Sequence, residues 1–245
     1  MSESTPPENA RRPLYRARVE RIFDHAGDTR SLFLAMAEGA RPRFLPGMFI
    51  SISIPLAEGV RVRPYTIASS PEDEGPFEIC FNRVAGGMGV AWLFERAVGD
   101  QLEFTGPFGT FTLERAPERE LIFIAEGTAI APIRPMIRRA LATPGSHPIR
   151  LLYAADAKEH ILYRDELARI AAAHPRFNFE TRVGSQDRAA LYAELRDEVE
   201  RRWVSADGDR NRHFYICGVG AGVLALRDLL RGAGYERRAV HYEQW

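Results

Sequence analysis

The chain of 245 residues is long enough for one large domain or two of ordinary size. Its 33 basic and 33 acidic residues cancel, which removes any bulk attraction to nucleic acid or to an anionic membrane surface. No apolar run approaches the roughly 18 residues that span a bilayer. Two cysteines, Cys80 and Cys217, are too few to ligate an iron–sulfur cluster or to build a disulfide framework.

Residues 1–13 lack the apolar core of a signal peptide and read as a short disordered lead-in, so a cytoplasmic location is expected. Short apolar alternations follow at 15–23, 29–36, 48–54, 61–67, 77–84 and 101–105, separated by Pro46-Gly47, Glu58-Gly59 and Gly75-Pro76. This spacing predicts an antiparallel barrel over residues 14–115, interrupted by one helix at 90–97 after Gly86-Gly87-Met88-Gly89. The charged stretch 114–120 reads as a linker. Beyond it, apolar strands at 121–125, 149–154, 177–181 and 213–217 alternate with helices at 130–142, 164–173, 189–202 and 221–232. Such alternation predicts a parallel sheet with helices on both faces over residues 116–245.

Four motifs carry chemistry. Arg63-Pro64-Tyr65-Thr66 ends a strand and places a guanidinium, an aromatic ring and a hydroxyl close together. Those groups can grip a phosphate, stack on a planar heterocycle and hydrogen-bond a ring nitrogen. Gly86-Gly87-Met88-Gly89 before a helix allows backbone N–H groups to approach a phosphate, although a plain glycine turn would look alike. The run Ala125 to Pro132 sets a glycine turn between a buried strand and a helix, where open parallel sheets bind nucleotides. Tyr215-Ile216-Cys217-Gly218-Val219-Gly220 repeats that arrangement, with Cys217 read either as inert packing or as a residue facing the crevice.

In this order and spacing the motifs resemble the ferredoxin–NADP reductase superfamily of flavin reductases, over essentially the whole chain from Leu14 to Trp245. The turn Gly106-Pro107-Phe108-Gly109 and the terminal His241-Tyr242-Glu243-Gln244-Trp245 add to the likeness. The resemblance implies two domains, an N-terminal FAD-binding β-barrel and a Rossmann-like NAD(P)-binding parallel sheet. It implies that Arg63, with the backbone of Gly87, Met88, Gly89 and Val90, holds the FAD phosphates, and that Pro64 also belongs to the FAD site. Tyr65 would stack on the isoalloxazine, Thr66 would bond near flavin N5, and Trp245 would cover the ring. Gly127, Thr128, Pro132, Asp156 and Gly218 would hold the pyridine nucleotide, with Cys217 and Glu243 flanking the nicotinamide. Thr66, Cys217 and Glu243 are thus the candidate catalytic residues, and no metal site is expected. The implied function is an NAD(P)H-dependent reductase that passes electrons to a separate ferredoxin, flavodoxin, cytochrome or oxygenase.

The departures from the family pattern matter equally. Val90 stands where relatives usually carry a serine or threonine hydroxyl. Glu126-Gly127-Thr128-Ala129 replaces Gly-Gly-Thr-Gly, so Glu126 brings negative charge toward a diphosphate and the Ala129 methyl narrows its approach. Weakened nucleotide binding would follow, which keeps open an electron-transfer subunit or a regulatory flavoprotein with an idle nicotinamide site. Asp156 would repel a 2′-phosphate, or is a solvated loop acid, while Arg182 could contact one; the balance leans to NADH. His25, His147, His160 and His174, lacking metal-ligand spacing, are expected in solvent, as is the basic helix face of Arg134, Arg138 and Arg139.

Overall fold

The structure, a computed structural model, describes residues 13–39 and 41–245; the expected lead-in, apart from Pro13, lies outside them. Six strands form the first sheet: β1 (Leu14–His25), β2 (Thr29–Met36), β3 (Phe49–Leu56), β4 (Gly59–Thr66), β5 (Phe77–Asn82) and β6 (Gln101–Phe108). Their order is β4-β3-β6-β1-β2-β5, and a bridge between Ile67 and Ile79 brings the two edges together into a barrel. Alternation explains the core: Ile50, Ile52 and Ile54 of β3 are fully buried and pack with Leu32, Leu34, Ile79 and Phe104. Helix α1 (Met88–Phe94) begins two residues before the expected 90–97 and ends earlier. Asp100 takes the Ala97 amide (3.0 Å) and turns the chain into β6 before another helical turn can form.

The second half contains β7 (Glu120–Glu126), α2 (Ile130–Ala142), β8 (Ile149–Ala155), α3 (Arg164–Ala173), β9 (Phe177–Val183) and α4 (Arg188–Val199). After it come β10 (Arg212–Gly218), α5 (Ala221–Gly232) and β11 (Val240–Gln244). The strands pair in parallel in the order β11-β10-β7-β8-β9. Residues Leu121 to Ala125 are all buried, because helices cover both faces of β7. α2 and α3 pack on one face, α4 and α5 on the other. Sequence periodicity did not show β11, whose five residues form a strand by pairing with β10. Glu120, assigned to the linker, is the first residue of β7 and accepts from Arg212 at 2.7 Å.

The two halves share a core. Ala68 and Cys80 of the barrel cluster with Phe123, Ala129 and Ile133 of the second domain. The expected solvated basic face is instead part of this boundary. Arg134 pairs with Glu78 and Glu166, Arg138 with Asp73, and Arg139 with Glu72. Three of those acids sit on the barrel, more than fifty residues back along the chain, so helix spacing alone could not reveal them.

Candidate functional site

The chain leaves β7 toward β8 and β9, then returns to place β10 on the other side of β7. That reversal opens a crevice beyond the carboxyl ends of β7 and β10, the place where open parallel sheets take ligands. The barrel closes one side of it. A cavity of about 460 Å³ lies at the junction, lined from the barrel by Phe49, Arg63, Tyr65, Thr66, Cys80 and Phe81, and from the other side by Thr128, Glu243 and Trp245. Pro64 and Val90 also line it.

Tyr65 is half-buried, edge-on to Phe81 with ring centroids 5.5 Å apart, and burial pushes its hydroxyl up to about 12. The Thr66 hydroxyl, on a residue 8% exposed, forms no protein hydrogen bond among the described residues. Arg63 likewise has no carboxylate partner there; its guanidinium donates only to the Val62 carbonyl at 3.0 Å. Arg63 also lines an adjoining cavity of about 500 Å³ with Gly87, Met88, Gly89 and Val90. The Gly87 N–H is already spent on the Val84 carbonyl (3.0 Å), so it is not the free donor the sequence suggested. Met88, Gly89 and Val90 open α1, where amides have no intrahelical acceptor. A guanidinium with no carboxylate partner among the described residues, the first amides of a helix and an aromatic-walled cavity fit a flavin dinucleotide.

Glu243 of β11 lines the main cavity, and burial raises its pKa while the Trp245 indole N–H, 3.2 Å from Oε2, pulls it back. Trp245 is anchored, its amide donating to the Gly218 carbonyl at 3.0 Å. Cys217 pairs in register with Glu243 but is 1% exposed and lies behind the cavity wall, not in it. Burial, then Glu243, raises its pKa, so it is a neutral thiol. Cys80, which sequence reasoning passed over, does line the cavity, and burial pushes its thiol up to about 11. Phe49, Phe81 and Asn82 were missed too, since apolar alternation marks them only as strand residues.

A second cavity, about 170 Å³, follows the crevice and is lined by Glu126, Gly127, Thr128, Asp156, His160 and Arg188. Gly127 takes φ +57°, a conformation side-chain-bearing residues avoid, and the Tyr153 hydroxyl fixes its carbonyl at 2.9 Å. Thr128 reaches across to the barrel, donating to Asn82 Oδ1 at 3.2 Å. Ala129 is 1% exposed and its methyl packs in the core, so it does not narrow the crevice as the sequence suggested. Pro132 is buried in α2 and forms no part of either cavity wall. Gly218 is required by contact: a Cβ there would sit 1.8 Å from the Tyr192 hydroxyl. Asp156 pairs with His160 at 2.6 Å, and that bond holds its carboxyl below the ordinary range. His160 and His25, the latter 2.9 Å from Ser31 Oγ, are therefore partnered rather than free in solvent; His147 and His174 are exposed. Arg182 is bound to Glu198 (2.9 Å) and is absent from the crevice wall. Among the described residues no cluster is placed to hold a metal ion, and no helix is long and apolar enough to cross a membrane.

Comparison with known proteins agrees with the two-domain fold. An oxidoreductase FAD-binding domain model matches residues 16–113, and an oxidoreductase NAD-binding domain model matches residues 123–223. The chain is 31% identical to ferredoxin–NADP reductase B of Sorangium cellulosum, over 94% of this chain and 97% of that protein. It is 27% identical to the toluate 1,2-dioxygenase electron transfer component of Pseudomonas putida, over 94% of this chain and 67% of the other. The crystal structure of an Amycolatopsis cytochrome P450 reductase superposes with a TM-score of 0.80 at 28% identity, covering 95% of this chain and 70% of that one. The chain belongs to the ferredoxin–NADP reductase family of oxidoreductases, with an FAD-binding and an NAD-binding domain.

Proposed function

We propose that the protein takes reducing equivalents from NADH and delivers them singly to a separate protein acceptor, a ferredoxin, flavodoxin, cytochrome or oxygenase component. The observation that carries this reading is the convergence of Tyr65, Thr66 and Cys80 from the barrel with Thr128, Glu243 and Trp245 from the second domain on one cavity. FAD, when bound, supplies the conversion of a two-electron donor into a one-electron source. Arg63 and the Met88, Gly89 and Val90 amides hold its diphosphate, beside Pro64 and Gly87. Tyr65 stacks on its ring, Thr66 donates or accepts at the ring edge, and Trp245 shields the opposite side.

Gly127, Thr128 and Gly218 shape the path of the nicotinamide nucleotide, with Pro132 starting the helix behind them. Glu243 accepts a hydrogen bond from the nicotinamide amide, and Cys217 supports Glu243 from the neighbouring strand. Asp156 favours NADH, because a carboxylate at the end of β8 accepts from a ribose hydroxyl and repels a 2′-phosphate. The relatives' names, a ferredoxin–NADP reductase and an oxygenase electron transfer component, support the class of acceptor. A cytoplasmic site of action goes with this reading.

A second reading, an electron-transfer subunit whose nicotinamide site is idle, draws on the buried carboxylate of Glu126 in the nucleotide turn. Anaerobic stopped-flow mixing with NADH and NADPH separates the two. Rapid loss of the flavin absorbance at about 450 nm, faster with NADH, supports the reductase. A yellow protein bleached by neither coenzyme refutes it.

A further inference from the structure

Glu126 ends β7 on the wall of the second cavity, and Arg188 of α4 supplies its counter-charge. The Glu126 side chain is 13% exposed, and its buried Oε2 has no hydrogen-bond partner among the described residues. Arg188 opens α4 with its side chain 54% exposed and its Nε 3.6 Å from Glu126 Oε1. Among the described residues lining the second cavity, Arg188 is the single arginine or lysine, set against the carboxylates of Glu126 and Asp156. Asp156 already binds His160 through its Oδ1 at 2.6 Å. The contact to Glu126 is long and engages one edge of a planar cation that has five donors, leaving the rest free for a second anion.

We propose that Arg188 binds the diphosphate of the dinucleotide coenzyme and that Glu126 is the positioning residue that holds it at the crevice. The inference rests on the crevice being the nicotinamide-nucleotide site. Glu126 thereby changes from an obstacle into an anchor. Its carboxylate fixes the Nε edge of Arg188, and the outer Nη groups face the phosphates as a fork. Without the arginine, the same carboxylate would repel the diphosphate across a poorly solvated gap. The two residues should therefore be strongly non-additive.

The test titrates ADP-ribose, which has the diphosphate but no nicotinamide, into the FAD-loaded protein by calorimetry, with adenosine as the control. Arg188→Ala should weaken ADP-ribose binding about 10- to 100-fold, the loss of charge-assisted hydrogen bonds, and leave adenosine binding unchanged. Arg188→Lys should fall between. The double variant Glu126→Gln/Arg188→Ala should bind ADP-ribose more tightly than Arg188→Ala alone. Retention of FAD in each variant checks the fold, since Arg188 lies outside the flavin cavity. Unchanged ADP-ribose affinity in Arg188→Ala overturns the proposal, as does a double variant no better than the single, or a wild-type protein that does not bind ADP-ribose. If ADP-ribose binding behaves as expected but NADH and NADPH fail to bleach the flavin, the reductase reading falls and the diphosphate assignment stands.

Discussion

Arg134 of α2 and Glu78 of β5 form a buried ion pair across the domain boundary, Nη1 to Oε2 2.7 Å, with the side chains 13% and 3% exposed. Neither is isolated. Glu78 Oε1 also accepts from Ser31 (2.6 Å) and Tyr163 (2.7 Å), while Arg134 donates to Glu166 (2.9 Å) and to the Ala68 carbonyl (3.0 Å). The network fixes the parallel sheet against the barrel one residue from Ile79 and two from Cys80, which lines the cavity between the domains. Removing one partner leaves the other charge buried and unmatched. We expect Glu78→Ala to cost about 3–5 kcal/mol in urea unfolding, and Glu78→Met/Arg134→Met to cost less than Glu78→Ala. A loss under about 1 kcal/mol for Glu78→Ala would show the pair to be no stronger than a surface contact.

Flavin retention tests the barrel half of the site. Arg63 has no anionic partner among the described residues, so its charge is available to a phosphate. Arg63→Ala should raise the FAD dissociation constant about 10- to 100-fold and yield largely flavin-free protein on gel filtration. Val90→Ser should act in the opposite direction, tightening FAD about fivefold through one added hydrogen bond. Val90 lines both barrel cavities, so a hydroxyl there would face the ligand. An Arg63→Ala protein that stays stoichiometrically yellow removes Arg63 from the phosphate site.

Coenzyme choice tests the far end of the crevice. Asp156→Arg replaces a repelling carboxylate with a phosphate-binding cation, and it also frees His160 from its 2.6 Å partner. The NADPH-to-NADH ratio of kcat/KM should rise about 10- to 100-fold. Equal changes for the two coenzymes would place Asp156 away from the 2′ position.

Acid stability tests the opposite end of the parallel sheet. His213 stacks on His241 with centroids 5.7 Å apart, and burial, aided by the His241 charge, lowers its pKa to about 4. His241 is lowered by burial as well, and its Nε2 has no hydrogen-bond partner among the described residues. Above the unfolded value of about 6.5 both states are neutral at His213 and it contributes no pH dependence. As pH falls from there toward 4, the unfolded chain takes up a proton that the folded one refuses, so stability declines. His213→Phe should flatten this part of the curve of Tm against pH. An identical slope in the variant would show that other groups govern it.

Much of this architecture is legible in the primary structure. Period-two alternation in Phe49–Leu56 and the unbroken apolar run within Glu120–Glu126 separate a half-buried antiparallel strand from a parallel strand buried on both faces. Glycines such as Gly127 mark turns because only they take the required φ without strain. These signals are local, and they located the barrel, the parallel sheet and the glycine turns that follow β7 and β10.

What tertiary structure decided is the pairing of groups remote along the chain. Glu126 alone reads as a repulsive charge; only the fold brings Arg188 within 3.6 Å of it. Arg134, Arg138 and Arg139 read as a wet helix face until the barrel supplies Glu78, Asp73 and Glu72. Cys217, read either as packing or as crevice-facing, lies behind the cavity wall, whereas Cys80 of the barrel lines it. The physical reason is range. Backbone propensity and alternation act over a few residues and survive in sequence, whereas burial and charge neutralisation depend on what the completed fold places a few ångströms away.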